Sequence, residues 1–139
     1  MLKIDSKTGQ VNGSQEAVYR YISDFRNFSH LLPAERLSNL EITGDTLRFS
    51  IDGLGNVGLI IAEKTPCSQL VITGTGDSSA DFTFRINIKA IAGNQSQVNL
   101  ILNANLNMFL EMMAKAPLQQ FVDMIIDKLA ALPFDEQTI

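Results

Sequence analysis

Residues 11–33, VNGSQEAVYRYISDFRNFSHLLP, decide the fold because they place two short helices between a first strand and a long run of further strands. Ser14 is a good N-cap, since its hydroxyl accepts a free backbone N–H of the first helical turn. A second short helix ends at Pro33, because the residue before a proline avoids helical geometry. The apolar residues of the first helix recur at i, i+3, i+4 and i+7: Val18, Tyr21, Ile22 and Phe25.

The apolar period changes to two between residues 36 and 107, which predicts strands. The alternation is clearest in FTFRINIK, residues 82–89. Turn signals divide this region into six strands, and residues 2–12 add a seventh. Connections of about two to six residues are too short for parallel crossovers, so we expect an antiparallel meander.

A long helix is predicted from Met108 onward, with Pro133 stopping it and with Pro117 causing either a kink or a fresh start. One helix cannot fill the space that a strongly curved sheet encloses. We therefore expect one α+β domain over residues 1–139. In it a seven-stranded antiparallel curved sheet wraps around the C-terminal helix, two short helices follow strand 1, and an apolar cavity remains inside.

Four methionines lie near the long helix, and their flexible, polarizable side chains suit irregular apolar gaps. We interpret them as gap-filling core residues, with a flexible gate for an apolar guest as the alternative: Met108, Met112, Met113 and Met124.

Composition limits the function classes. The 139 residues are 45% hydrophobic and 19% charged, as in a globular protein, and the net charge of -4 disfavours nucleic-acid and anionic membrane surfaces. The apolar run at residues 57–62 is far shorter than the ~20 residues of a membrane span. Cys67 is the only cysteine, so we expect no intrachain disulfide and a reducing, cytoplasmic setting.

The order of elements, together with the opening segment VNGSQEAVYRYISDFRNFSHLLP, resembles the START-related superfamily of helix-grip domains over nearly the whole chain. This superfamily includes polyketide cyclases and dehydrases, pollen-allergen-type proteins, quinone-binding proteins and the carbon monoxide dehydrogenase G family. The resemblance implies a hydrophobic pocket between the sheet and the C-terminal helix. The residues that match its lining are Phe28, Leu31, Leu32, Phe49, Leu59, Ile61, Ile72, Phe84, Ile86, Leu100, Leu102, Met112, Phe121 and Ile125.

Polar chemistry is sparse. Residues 53–58, GLGNVG, match the dinucleotide pattern G-x-G-x-x-G, but a phosphate-binding loop needs a helix after its glycines and residues 59–62 are β-prone. His30 and Cys67 stand outside any catalytic motif, so we expect no cofactor, no metal and no catalytic residue. Glu63 shares strand parity with Leu59 and Ile61, which makes it a candidate polar anchor, although a solvated strand end is the preferred interpretation.

The leading hypothesis is the binding of a small hydrophobic molecule, such as a lipid, quinone, sterol or polyketide-like compound. Two alternatives stay open. One is an enzyme of the polyketide cyclase or dehydrase type. The other is an accessory or dimerising domain, which would use Ile60, Val71 and Ile101 on the outer sheet face and would make a homodimer the partner state.

Overall fold

The computed structural model describes residues 2–32, 37–43, 45–51, 55–75, 81–92 and 94–132. Its helices are α1 (Gln15–Ile22), α2 (Phe25–Phe28) and α3 (Met108–Ala130), and a 3-10 turn at Ser29–Leu31 follows α2. Its strands are β1 (Leu2–Asp5), β2 (Gly9–Val11), β3 (Leu37–Thr43), β4 (Thr46–Ile51), β5 (Gly55–Thr65), β6 (Gln69–Gly74), β7 (Asp81–Ala92) and β8 (Gln95–Asn105).

The strands form one antiparallel sheet in the order β1-β8-β7-β6-β5-β4-β3, and β2 also pairs with β8. The predicted antiparallel sheet with a long C-terminal helix is confirmed. The predicted first strand is split into β1 and β2, because Ser6 interrupts it. The Ser6 N–H donates to the Leu100 carbonyl at 2.8 Å, and the Ser6 hydroxyl oxygen accepts from the Leu100 N–H at 2.8 Å.

The break between β1 and β2 is also where α3 is fastened to the sheet. The Lys7 N–H donates to Asp123 Oδ1 at 2.7 Å, and the Lys7 ammonium pairs with Asp127. Gln119 Nε2 donates to the Asp5 carbonyl at 2.8 Å. Pro117 lies inside the single helix Met108–Ala130, so it does not start a new helix.

Helix α1 is fixed at its start by side-chain hydrogen bonds. The Ser14 hydroxyl accepts from the Ala17 N–H at 3.2 Å, as its capping role predicts. Ser96 on β8 is fully buried, and its hydroxyl donates to the Gly13 carbonyl at 2.7 Å. These bonds hold α1 against the concave face, where Val18 and Ile22 are fully buried.

Tyr21 of α1 is partly buried against the core, and this burial raises the pKa of its phenol.

The close approach of β2 to α3 requires glycine at position 9. A Cβ at this position would lie 2.5 Å from Cγ2 of Ile126, whose side chain is 1% exposed and cannot swing away. We expect Gly9→Ala to lower the free energy of unfolding by about 1–3 kcal/mol through overpacking. Urea denaturation measures the change. The double variant Gly9→Ala/Ile126→Ala should lose less than the sum of the two single changes, and additive losses would contradict the steric explanation.

Cys67, in the turn between β5 and β6, has a φ of 67°, a left-handed conformation that costs most side chains energy. We expect Cys67→Gly to raise the free energy of unfolding by about 0.5–1 kcal/mol, because glycine adopts this φ without steric cost. Cys67→Ala is the matched control, since it removes the thiol but keeps a Cβ. Thermal denaturation in which both variants gain equally would show that backbone strain is not the cause.

Candidate functional site

The concave face of the sheet and the inner face of α3 enclose one continuous hydrophobic cluster. The rings of Phe84 on β7 and Phe121 on α3 face each other with centroids 6.5 Å apart, so the sheet and the helix meet there directly. Ile61 is only partly buried at the edge of the cluster. The predicted lining residues that lie buried within it are Phe28, Leu31, Leu32, Phe49, Leu59, Ile72, Phe84, Ile86, Leu100, Leu102, Phe121 and Ile125.

Met112 does not line this interior. It is 79% exposed, because it points away from the core stripe of α3 that contains Leu118 and Phe121. The interpretation of the methionines as core residues is also wrong for Met108 and Met113, which are 77% and 62% exposed. Apolar residues occur all round the first two turns of α3, so composition alone did not distinguish the buried face from the exposed one.

Glu63 is exposed and lies on the convex face, which agrees with the preferred interpretation of a solvated position and not with the alternative of an inward polar anchor. A register shift between Ile61 and Glu63 inserts one extra residue into β5, so that Glu63 pairs with Val71 on β6. Val71 in turn pairs with the exposed Arg85 on β7. A bulge reverses strand parity, and the alternation read from the sequence therefore fails beyond Ile61.

The remaining polar candidates are dispersed. His30 is exposed on the 3-10 turn, and Cys67 is half-buried in the turn between β5 and β6. Residues 55–58 of the glycine-rich segment lie within β5 and precede no helix, whereas residues 53 and 54 lie outside the described residues. The strand at residues 55–58 agrees with the expectation that no phosphate-binding helix follows these glycines.

A cleft of about 710 Å³ opens between the α1–α2 junction and the strands β3 to β5. Phe25, 3% exposed, and Ile61 form part of its floor, so the floor of the cleft is also the edge of the hydrophobic cluster. Its rim is polar. The residues that line the whole cleft are Ser23, Asp24, Phe25, Arg26, Ile42, Asp45 and Ile61.

Asp24 and Arg26 form the best-defined polar pair on this rim. Arg26 Nη2 donates to Asp24 Oδ2 at 3.0 Å, Arg26 Nε donates to Asp24 Oδ1 at 3.3 Å, and the Arg26 N–H donates to Asp24 Oδ1 at 2.9 Å. The side-chain hydrogen bonds, followed by the backbone one, hold the pKa of Asp24 below its ordinary value of 3.8. Asp24 also caps α2, which places its carboxylate at the helix junction.

None of Asp24, Arg26, Ile42 and Asp45 was assigned to a site from the sequence. The cleft is built from three segments that are distant in the sequence, the α1–α2 junction, the β3–β4 hairpin and β5. No local pattern brings these segments together. A second depression, of about 660 Å³, lies on the sheet and is lined largely by polar side chains such as Thr73, Thr83 and Asn103.

The pKa of Asp24 tests the geometry of the rim. Because its pKa is lowered on folding, ionised Asp24 stabilises the native state above the unfolded pKa, and this contribution disappears as the pH falls through the folded pKa. We expect Arg26→Gln to move the Asp24 pKa upward toward 3.8, as measured by carboxyl ¹³C NMR titration. Arg20→Gln, which removes the guanidinium of the exposed Arg20–Glu16 pair, is the control and should leave the Asp24 pKa unchanged. An unmoved pKa in Arg26→Gln would contradict the assigned cause.

No family model matches the sequence, and no curated protein sequence matches it either. Among solved structures, the chain is similar to a START superfamily protein from Mycobacterium smegmatis, with 14% identity, coverage of 99% of both chains and a TM-score of 0.65. It is also similar to the protein XoxI from Bacillus cereus, with 12% identity, coverage of 94% of this chain and 97% of that one, and a TM-score of 0.68.

A third similar structure is a point mutant of norcoclaurine synthase from Thalictrum flavum in complex with a transition state analogue. It has 12% identity, covers 99% of this chain and 96% of its own, and gives a TM-score of 0.69. The chain therefore has the helix-grip fold of the START-related superfamily. Within the described residues, none of the helices has the length and apolar character needed to cross a bilayer.

Proposed function

We propose that this protein binds a small, mainly apolar molecule against the concave face of the sheet, with the polar end of the molecule at the Asp24–Arg26 rim. The observation that carries the proposal is the continuity between the charged cleft and the hydrophobic cluster at Phe25 and Ile61. Small-molecule sites are typically clefts of ~300–1,000 Å³, and the cleft lies within that size range, with Phe25, Ile42 and Ile61 as its apolar part.

The rim supports a ligand whose polar end is uncharged. Asp24 and Asp45 contribute two carboxylates, against the one guanidinium of Arg26, so a carboxylate on the ligand would meet a net negative surface. Arg26 donates to Asp24 through Nε and Nη2, and its other guanidinium N–H groups can donate to a carbonyl or hydroxyl oxygen. Quinones and sterols have this chemistry, an apolar body with a neutral oxygen at one end.

Binding is favoured over catalysis by the chemistry of the interior. Among the described residues, Ser96 is the only buried polar side chain, and its hydroxyl is engaged with the Gly13 carbonyl. A general acid or base must lie within hydrogen-bond reach of the proton that it transfers. Among the described residues no titratable side chain is buried inside the core, and Tyr19 and Tyr21 are only partly buried against it. An enzyme on the same fold, such as norcoclaurine synthase, does not transfer its activity to this chain, because fold alone does not determine function.

The proposal includes a cytoplasmic location, which the single cysteine supports.

Adjacent residues on opposite faces of β5 allow a matched test. Ile61 faces the cleft, whereas Ile60 faces outward and is 37% exposed. We expect Ile61→Trp to weaken the binding of Nile red, a neutral apolar dye, by about tenfold, because excluding ~60 Å² of buried ligand surface costs roughly 1.4 kcal/mol. Ile60→Trp should leave the dissociation constant unchanged. Fluorescence titration measures both.

Ile42→Trp fills the same cleft from β3 and covers the case in which Ile61→Trp alters the core packing. Circular dichroism and the melting temperature of each variant establish that it is folded. Equal affinities for the wild type, Ile61→Trp and Ile42→Trp would overturn the assignment of the cleft as the ligand site.

A further inference from the structure

Residues 25–32, which contain α2 and the 3-10 turn, lie between the cleft and the interior of the fold. Phe25, Phe28, Leu31 and Leu32 are all buried, and none is more than 3% exposed. The rings of Phe25 and Phe28 meet edge to face, with centroids 6.2 Å apart. Phe25 belongs to the floor of the cleft and all four belong to the hydrophobic cluster, so a molecule that passes from the cleft to the cluster has to displace this segment.

The other walls of the interior are fastened by several long-range hydrogen bonds. Continuous ladders join the strands of the sheet. Helix α3 is tied to the break between β1 and β2 through Lys7 and Gln119. Helix α1 is tied to the sheet at its start, where Gln15 Nε2 donates to the Ile88 carbonyl at 3.2 Å in addition to the bond from Ser96. Each of these walls would lose two or more hydrogen bonds if it moved away from the cluster.

Residues 25–32 have a weaker polar attachment. Among the described residues, one hydrogen bond joins this segment to a distant part of the chain, from Nζ of Lys128 on α3 to the Leu32 carbonyl at 3.0 Å. The other hydrogen bonds of the segment are local, such as that from the Phe28 N–H to the Asp24 carbonyl at 2.8 Å. Packing of apolar side chains against α1 and α3 supplies the rest of the attachment. An apolar ligand can replace those contacts, so the bond from Lys128 is the fixed one.

The backbone allows this segment to move as a unit. Asp24, which separates α1 from α2, is extended with φ of -109° and ψ of 116°, and Leu32, which follows the 3-10 turn, is extended with φ of -82° and ψ of 147°. The residues between them are helical. Hinges are typically a few residues at the ends of such elements, where changes in φ and ψ are absorbed. Rotation about Asp24 would move Phe25 and Phe28 outward and leave α1 in place.

We infer that residues 25–32 are a lid that turns about Asp24 to admit the ligand from the cleft to the hydrophobic cluster, and that Lys128 holds the lid closed. This inference rests on the proposed function, because a lid needs a ligand to admit. It makes the rate of ligand exchange depend on one hydrogen bond to α3, at the opposite end of the segment from the Asp24–Arg26 rim.

Amide hydrogen exchange followed by NMR tests the lid in the absence of a ligand. Segments that open locally exchange at a lower free-energy cost than the global core does. We expect protection factors at least tenfold lower for the N–H groups of Phe28 and Leu32 than for those of Val18 on α1 and Leu100 on β8. All four N–H groups are hydrogen-bonded, so the comparison reports opening rather than the lack of an acceptor.

Lys128→Met removes the donor and keeps an unbranched side chain of similar length. It should lower the protection factors of Phe28 and Leu32 by about a further tenfold, the effect of losing one hydrogen bond of ordinary net strength. The protection factor of Leu100 should change much less. Lys115→Met replaces an exposed lysine of the same helix and is the control, which should leave all of these values unchanged.

Ligand exchange tests whether the lid is the route of entry. In stopped-flow mixing with Nile red, Lys128→Met should raise both the association and the dissociation rate constants about tenfold. The dissociation constant should stay within about twofold of the wild-type value, because the closed state keeps the same contacts with the dye. Lys115→Met should leave both rate constants unchanged.

Three results would contradict these expectations in different ways. Equal protection factors at the segment, α1 and β8 would show that residues 25–32 open only when the whole fold unfolds, and would overturn the lid. Nile red that binds the wild type and Lys128→Met with the same rate constants would overturn the entry route alone. Absence of dye binding to every variant would contradict the proposed function, and with it the entry route, whereas hydrogen exchange would still decide whether the segment opens.

Discussion

The structure depends on the burial of the concave sheet face by α3, which shares this face with α1. Helix α3 lies against β1, β2 and β8, and the contact is close enough at Gly9 that no Cβ fits beside Ile126. The hydrogen bonds of Lys7 and Gln119 supply little of the free energy that holds α3 against the sheet, because they are exposed to solvent. They set the position at which the apolar faces meet. With α3 in this position, Phe121 meets Phe84 on β7, and the apolar side chains on either side of this contact pack together.

Much of this arrangement was predictable because periodicity reports the local environment of a side chain. Strict alternation in residues 82–89 identified Phe84 and Ile86 as inward, and both are buried. The Ser14 cap and the buried face of α1 were equally predictable. These features depend on interactions between residues near one another in the sequence, or on the sharing of one sheet face, and both leave a regular pattern.

The predictions that were wrong or missing concern features that leave no regular pattern in the sequence. Nothing in the sequence of β5 marks the extra residue that turns Glu63 outward, since a bulge is selected by pairing with β6 rather than by local preference. The methionines of α3 were ambiguous because a helix that is apolar on both sides has two candidate core faces. The Asp24–Arg26 cleft was not predicted, because its walls come from segments far apart in the chain. Each error concerns a long-range choice between two locally acceptable arrangements.

The bulge in β5 has a consequence for how such interiors diversify. Because Glu63 already lies opposite Val71, loss of the codon for residue 62 would remove the bulge and leave residues 63–65 with the same partners on β6. A change of length at this place therefore leaves the inward and outward sets of the strand as they are. Diverging descendants of this scaffold can in this way lose a residue from β5 without turning a charged side chain inward.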